Sequence, residues 1–201
     1  MAPRKAAALR QGDGRSLREH LIATAEQLVS ARGTAGLTVR AIAREAGVAD
    51  GVLYNHFSDK EELLAHALRA HVRSVEGTLG ALPEPGVGTL EDNLRTHLRY
   101  GMALHRAILP AFTGLLAQPA VLARFGELDG PGRDWRDRLR GYLRAERELG
   151  RLAEGARTDA AAALLVGICH ETVLSALFPH TAHDSPAEDD IIAAVLNGIT
   201  A

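Results

Sequence analysis

The chain of 201 residues lacks features on which several protein classes depend. It has a single cysteine, Cys169, so it can form neither an internal disulfide nor a metal site of several thiolates. No apolar stretch free of charges reaches the roughly 18 residues of a transmembrane helix. The basic start of the chain also has no apolar segment typical of a secretion signal. We therefore expect a cytoplasmic protein.

Aromatic residues are scarce, at 4%, so the core must be built mainly from aliphatic side chains. Alanine occurs 35 times, and an apolar fraction of 46% with 24% charged residues is ordinary for a folded domain. Alanine, leucine and arginine favour helices, and the sequence shows neither strand alternation nor an internal repeat. These features predict an all-α fold.

Lysine is almost absent, and 21 arginines against 2 lysines supply the positive charge. Residues 1–60 hold nine of these cations against six acidic residues, whereas residues 61–201 hold fourteen against nineteen. A basic end favours a polyanionic partner, and a chance excess of three charges explains it equally well. The charge distribution alone leaves both interpretations open.

A capping pattern marks the start of the first helix. Ser16 is followed three residues later by Glu19, as in a capping box, and leucine and alanine then recur at helical spacing. Gly33 and Gly36 are expected to end this helix, since glycine favours helix C-termini.

The next residues predict two short helices joined by a glycine turn. Thr38 begins a helix of about two turns that ends at Gly47, and a second short helix is predicted near 49–57. A further capping pattern at 58–61 predicts a longer helix to Val75. Such an arrangement is typical of a helix-turn-helix motif.

A break rich in proline and glycine at 82–88 marks the expected domain boundary. The chain is therefore divided into a flexible basic arm at 1–15, a helix-turn-helix domain at 16–76 and a C-terminal helical domain at 77–201. Pro110 is expected to interrupt the first helix after the break. The predicted C-terminal helices run from Thr89 to about Ile108 and at 133–148, 158–178 and 186–200.

The segment 37–63, LTVRAIAREAGVADGVLYNHFSDKEEL, resembles the DNA-binding domain of the TetR family of transcriptional repressors. It keeps the family's threonine, Ile-Ala pair, Ala-Gly-Val, a small residue with glycine, a tyrosine, a phenylalanine and the following lysine. The resemblance covers about a quarter of the chain. It implies a homodimeric repressor that a small, largely apolar ligand releases from double-stranded operator DNA.

The resemblance places polar and small residues against the DNA. Hydroxyl, guanidinium and ammonium groups bind phosphate, and a glycine lets backbone approach the duplex closely. The start of the second short helix is expected in the major groove, with Tyr54 and His56 at phosphates and Lys60 adding charge at a helix start. The expected DNA-binding residues are Thr38, Arg40, Ala49, Asp50, Gly51, Val52, Tyr54, Asn55, His56 and Lys60.

Two positions depart from the usual family pattern. Ala49 lacks the hydroxyl that many members carry there, and Asp50 places an acid where phosphate would repel it. The carboxylate of Asp50 either accepts from a cytosine amine or caps the second short helix. The basic residues of the arm and of the first helix turn are either DNA contacts or a solvated tail: Arg4, Lys5, Arg10, Arg15 and Arg18.

The resemblance assigns ligand binding and dimerisation to the C-terminal domain. The last two helices, at 158–178 and 186–200, are expected to pair with their copies, because they carry more apolar surface than one small domain needs. The alternative is that they form only the core. The candidate ligand-binding residues, which are otherwise ordinary core residues, are Tyr100, Met102, Leu104, Ile108, Phe112, Phe125, Trp135, Leu139, Cys169 and His170.

The sequence offers no catalytic or cofactor motif. His170 and Glu171 lack the second histidine of a zinc-binding helix, and no phosphate-binding glycine loop is present. We therefore expect no cofactor, no metal and no enzyme activity, although His180 and His183 offer a weak metal alternative with His170. Two rival functions remain: a DNA-binding protein without an effector, and a small helical enzyme that shares the DNA-binding domain.

Overall fold

The computed structural model describes residues 16–34, 37–115, 117–128, 134–176 and 186–200. These residues form helices joined by turns and loops, and none of them lies in a strand, which confirms the all-α prediction. The α-helices are α1 (Leu17–Arg32), α2 (Val39–Ala46), α3 (Lys60–Glu76), α4 (Leu90–Phe112), α5 (Pro119–Leu128), α6 (Trp135–Glu148), α7 (Thr158–Ser175) and α8 (Glu188–Asn197), with 3₁₀ turns at Asp50–Asn55 and Thr113–Leu115.

The start of α1 has the geometry that its sequence predicts. The backbone N–H of Glu19 donates to Ser16 Oγ at 3.2 Å, and the N–H of Ser16 donates to Glu19 Oε2 at 2.7 Å. Both halves of the capping box are therefore formed, and two backbone donors that the helix cannot satisfy are paired. Gly33 takes the C-cap position with a positive φ of 68°, while Gly36 lies outside the described residues.

Two predicted helices differ from those observed. The second short helix is a 3₁₀ turn, Asp50–Asn55, and is shorter than the predicted span 49–57. The helix that begins after Thr89 continues through Pro110 to Phe112. Proline removes one backbone hydrogen bond at this point, and the next residue, Ala111, is buried in an apolar cluster.

The chain forms two compact units. The first contains the described residues of 1–77 and of 107–129, and the second contains those of 78–106 and of 130–201. Helix α4 thus supplies residues to both. The division into functional domains at residue 77 stays a prediction, since the last turns of α4 and the whole of α5 belong to the first unit.

The first unit is built around aliphatic side chains of α1, α2, α3 and α5. Leu21, Ile42 and Leu64 are fully buried, as is Val121 from α5. Burying each such side chain contributes about 1.5–3 kcal/mol. The core therefore holds α2 and the 3₁₀ turn in a defined position on a base of three longer helices.

The second unit combines an aliphatic core with buried polar groups. Leu94 of α4, Leu139 and Leu143 of α6 and Leu165 of α7 are fully buried. Helix α4 also places three polar side chains in this interior, namely Asn93, His97 and His105. Buried polar groups weaken a fold unless they find hydrogen-bond partners.

Candidate nucleic-acid interface

Helix α2 is a short support with one buried and one exposed side. Ile42 and Ala43 are fully buried, whereas Arg40 is exposed. Thr38 is the N-cap, since its side chain accepts a hydrogen bond from the N–H of Ala41 at 3.1 Å. This hydrogen bond fixes the start of α2 and leaves Thr38 at the surface.

A glycine turn joins α2 to the 3₁₀ turn. Gly47 has φ 70° and ψ 30°, a left-handed conformation that other residues adopt at a cost. The N–H of Val48 then donates to Ala43 O at 3.0 Å, which closes the turn. The chain direction after α2 is therefore set by a position that the sequence marks with glycine.

The 3₁₀ turn Asp50–Asn55 presents one face to solvent. Leu53 points into the core and is 2% exposed, whereas Tyr54 is 61% exposed. Gly51 and Asn55 are also exposed, and a Cβ added at Gly51 would meet no atom within 4 Å. A large aromatic side chain exposed on a turn is a candidate for contact with a binding partner.

Asp50 pairs with Arg40. Arg40 Nε donates to Asp50 Oδ2 at 3.3 Å, and Ala49, not Asp50, occupies the N-cap position, without a side-chain hydrogen bond. The alternative in which Asp50 caps the helix is therefore wrong. Both side chains are at least half exposed, so the pair orients Arg40 more than it stabilises the fold. An open depression of about 400 Å³ is lined by Thr38, Val39, Arg40, Asp50 and Tyr54.

The start of α3 carries the only lysine of the described residues, Lys60. Asp59 is the N-cap and accepts from the N–H of Glu62 at 2.8 Å, while Glu62 accepts from the N–H of Ser58 at 2.7 Å. The hydrogen bond from Ser58 lowers the pKa of Glu62. The N-cap is thus Asp59, one residue later than the pattern at 58–61 predicts, and Lys60 lies in the first turn of α3.

Arg18 of α1 contacts the residues around the start of α3. Its guanidinium lies 4.7 Å from the centre of the Phe57 ring and donates to His66 Nε2 at 2.8 Å and to Glu62 at 3.2 Å. Burial and the charge of Arg18 lower the pKa of His66, which keeps it neutral as an acceptor. Arg18 is therefore engaged within the first unit. The arm residues Arg4, Lys5, Arg10 and Arg15 lie outside the described residues.

The other expected DNA-binding residues lie on the same surface. Ala49 is exposed, and Val52 and His56 are half-buried beside Tyr54 and Asn55. The structure therefore gathers the exposed residues of α2, the 3₁₀ turn and the start of α3 within one unit. This arrangement of hydroxyl, phenol, guanidinium and ammonium groups suits the phosphates of a polyanion.

The candidate ligand-binding residues are divided between the two units. Phe112 and Phe125 lie in the first unit, where their rings meet edge to face at 5.2 Å, and Ile108 belongs to the same unit. Leu139 and Cys169 are fully buried in the second unit. That unit also holds Tyr100, Met102, Leu104, Trp135 and His170.

Cys169 has no nucleophilic character in this setting. Burial raises the pKa of its thiol to about 12, so it stays protonated at neutral pH. Its sulfur lies 4.0 Å from the carbonyl oxygen of Leu98. Within the described residues no three metal-binding side chains come together, and His180 and His183 lie outside them.

A row of polar and small residues on α4 was missed by sequence reasoning. Asn93, His97, Gly101 and His105 follow one another at intervals of four residues, so they share a face of the helix. That spacing alone favours an exposed polar face, because an amphipathic helix normally places aliphatic residues on its buried face.

Aromatic rings from α6 and α7 pack on this row. The indole of Trp135 occupies the space beside Gly101. Between ring centres, His105 lies 5.4 Å from Trp135 and 4.6 Å from His170. His105 Nδ1–H donates to Gly101 O at 2.6 Å, and burial lowers the pKa of His105. The interior of the second unit is therefore lined by neutral polar rings.

No helix among the described residues is both long and apolar enough to span a bilayer.

Residues 21–67 match the family model described as bacterial regulatory proteins, tetR family. Over 77 residues the chain is 34% identical to the HTH-type transcriptional repressor NemR of Escherichia coli strain K12, covering 38% of this chain and 39% of that protein. The chain thus spans about two fifths of the length of this curated relative.

Two solved structures share the fold over most of the chain. The transcriptional regulator FadR from Bacillus subtilis, in complex with stearoyl-CoA, has a TM-score of 0.59 at 21% identity, covering 90% of this chain and 98% of that chain. A transcriptional regulator from Rhodococcus sp. Rha1 has a TM-score of 0.60 at 21% identity, covering 92% and 99%. At this identity the likeness shows the shared helical fold.

Proposed function

Because the chain belongs, through residues 21–67, to the tetR family of bacterial regulatory proteins, we propose that it is a sequence-specific DNA-binding repressor of transcription acting in the cytoplasm. The observation that carries this proposal is the exposed face of the 3₁₀ turn Asp50–Asn55, held by α2 and a glycine turn. Its size and rigidity suit the major groove, which admits a single helix.

The exposed residues divide by chemistry into two groups. Tyr54 and Lys60 offer a phenol and an ammonium to phosphates on either side of the groove, and Thr38 and His56 add further polar contacts. Ala49, Gly51, Val52 and Asn55 face the base edges. Arg40, whose Nε is held by Asp50, keeps its remaining N–H groups for the duplex.

A double variant tests this surface. Tyr54→Ala with Lys60→Ala is expected to weaken binding to the preferred duplex roughly a hundredfold or more, since hydrogen bonds to charged groups contribute about 1.5–3 kcal/mol each. The preferred duplex is first selected from a random library with the wild-type protein. Fluorescence anisotropy of the labelled duplex then measures the affinity.

The matched control removes one positive charge elsewhere. Arg136 is exposed in the second unit, and Arg136→Ala should leave DNA affinity within about twofold. Circular dichroism shows whether each variant is folded. Sequence-specific binding that survives in the folded double variant would refute the assignment of this surface.

A second copy of the chain completes the regulator in this proposal. Helix α7 has an exposed face that is largely apolar apart from Glu171, and on it Leu164 is 63% and Leu174 is 42% exposed in the single chain. Ala160, Ala163 and Gly167 lie on the same face, and α8 exposes Ala193 and Ala194. Small residues allow close approach of helices, so these two faces are suited to a four-helix bundle with the partner copy.

Charge placed on this face should separate the copies. Leu164→Glu with Leu174→Glu is expected to shift the mass measured by light scattering from twice 21.4 kDa to 21.4 kDa, since carboxylates would be buried without partners. Val87→Glu is the control, because Val87 is 64% exposed in the segment that precedes α4 and belongs to neither α7 nor α8. A double variant that keeps the dimer mass would contradict the proposed interface.

The same proposal includes a small-molecule effector in the second unit. The polar and aromatic interior between α4, α6 and α7 is unusual for a purely structural core and suits a ligand. Ligand binding is proposed to shift α3 and to change the separation of the two DNA-binding faces. A coupling of roughly 1–3 kcal/mol would lower operator affinity about 5- to 150-fold.

A further inference from the structure

His97 is the most unusual side chain of the second unit. It is 1% exposed, and neither Nδ1 nor Nε2 has a hydrogen-bond partner. One side of its ring lies 4.6 Å from the ring of Tyr142, centre to centre. The hydroxyl of Tyr142 already has a hydrogen-bond partner, since it accepts from Asn93 Nδ2 at 2.9 Å. A buried imidazole with two unpaired nitrogens destabilises a fold and calls for an explanation.

A second unpaired group lies on the same face of α4. Trp135 is 3% exposed, and its Nε1–H donates to no acceptor. Its ring packs directly on Gly101, which is one helical turn beyond His97. Two side chains, one from α4 and one from α6, therefore leave polar atoms unpaired in the interior of the second unit.

The protonation state of His97 defines what these atoms can bind. Burial, followed by the charge of Arg138, lowers the pKa of His97 to about 4, so the ring is neutral at physiological pH. A neutral imidazole has one N–H donor and one nitrogen lone pair, and the indole of Trp135 adds one donor. The unpaired lone pair can be satisfied only by a donor.

We propose that this face of α4 is the effector site and that the effector is an uncharged, largely apolar molecule with at least one hydroxyl group. The hydroxyl donates to the lone pair of His97, and oxygen atoms of the ligand accept from the N–H groups of His97 and Trp135. The inference extends the proposed regulatory function. The ligand acts as an effector only if that function holds.

Charged ligands fit these atoms less well. A carboxylate accepts hydrogen bonds but donates none, so it would leave the lone pair of His97 unpaired. The charge of Arg138 reaches His97 and would attract an anion, but it does not supply the donor that the lone pair needs. An ether or ketone has the same defect as a carboxylate, since it lacks a donor. The hydroxyl group is therefore the discriminating feature.

Three simple probes isolate that feature in the full-length protein. Phenol carries the hydroxyl, anisole keeps the oxygen without its donor, and benzoate carries a charge. Trp135 is the only tryptophan of the chain, so tryptophan fluorescence reports on this site, and calorimetry gives the affinity. Phenol is expected to bind about tenfold or more tightly than either of the other probes.

Two variants at one position connect this preference to His97. His97→Leu keeps the volume and removes both nitrogens, so the ratio of phenol to anisole affinity should fall to about one. His97→Asn retains a donor and an acceptor, and it should preserve at least part of the preference for phenol. Both variants are checked by circular dichroism, and each affinity ratio is measured within one protein, so a general loss of stability does not alter it.

The outcomes separate this inference from the proposed function. Equal affinity for phenol and anisole in the wild type, or an unchanged ratio in His97→Leu, overturns the hydroxyl site even if the protein binds its selected duplex. Loss of duplex binding in the wild type would instead contradict the regulatory function while leaving the hydroxyl preference intact. A preference for phenol that disappears in His97→Leu and persists in His97→Asn supports the site.

Discussion

Replacing Gly101 with alanine is expected to lower the free energy of unfolding by about 2–3 kcal/mol. A Cβ at this position would lie 2.2 Å from Cη2 and 2.3 Å from Cζ2 of Trp135, far inside van der Waals contact. The indole is buried and cannot swing into solvent, so either the ring or α4 must move. Urea denaturation measures the change.

The control for this substitution is a glycine in an equally helical setting. Gly141 lies in α6, is exposed, and has no atom within 4 Å of an added Cβ. Gly141→Ala should therefore stabilise the protein by up to about 1 kcal/mol through helix propensity. If both alanine variants gained stability, the packing of Trp135 on α4 would be wrong, and with it the description of the second unit's interior.

Acidification is expected to lower stability by about 3 kcal/mol through His97 alone. Its pKa is about 4 in the folded protein, against 6.5 for an exposed histidine. Above pH 6.5 both states are neutral and the contribution is constant. Between pH 6.5 and 4 the unfolded chain takes up a proton that the folded protein does not, so stability falls at about 1.4 kcal/mol per pH unit.

The variant His97→Leu isolates this effect from the other histidines. Burial also lowers the pKa of His66, His105 and His170, so the wild type loses stability on acidification through several groups. The difference between wild type and His97→Leu in urea denaturation should therefore widen as the pH falls from 6.5 to 4. A constant difference over that range would show that His97 is hydrated or paired.

The same variant should be more stable than the wild type at neutral pH without ligand. Leucine has no polar atoms, so the substitution removes two unpaired nitrogens from the interior and should add about 1–3 kcal/mol. Gain of stability together with loss of the phenol preference is the pattern expected of a binding residue. A destabilised variant would indicate that the imidazole has a structural partner.

Much of the first unit follows from local sequence signals. Ser16 and Glu19 form the predicted capping box, Thr38 caps α2, and Gly47 adopts the left-handed conformation that ends it. These features depend on hydrogen bonds within a few residues, so the sequence contains the information directly. The exposure of Tyr54 also agrees with the surface that the family resemblance implies.

Features that depend on distant partners could not be predicted in the same way. The resemblance implied a ligand site that includes Phe112 and Phe125, and the structure packs both against the apolar cluster of the first unit. The sequence leaves two roles open for Asp50, a helix cap or a contact with a DNA base. Its observed partner is Arg40, which lies ten residues earlier. Tertiary packing decides such choices, and periodicity does not encode it.

The burial of the polar face of α4 also could not be predicted from the sequence. The spacing of Asn93, His97, Gly101 and His105 is visible in the sequence, but on its own it indicates an exposed face. Only the packing of Trp135 and Tyr142 on this row shows that it is buried. The unpaired nitrogens, from which the effector chemistry is inferred, exist only because of that burial.

Hydroxyl-radical footprinting of the selected duplex shows how many Asp50–Asn55 turns enter the major groove. We expect two protected segments on the duplex, related by a two-fold axis, with centres about 34–36 Å (one helical turn) or a multiple of that apart. Both protections should vanish in the variant with Tyr54→Ala and Lys60→Ala. A single protected segment, or two segments that persist in the folded double variant, would contradict the insertion of two Asp50–Asn55 turns into the major groove.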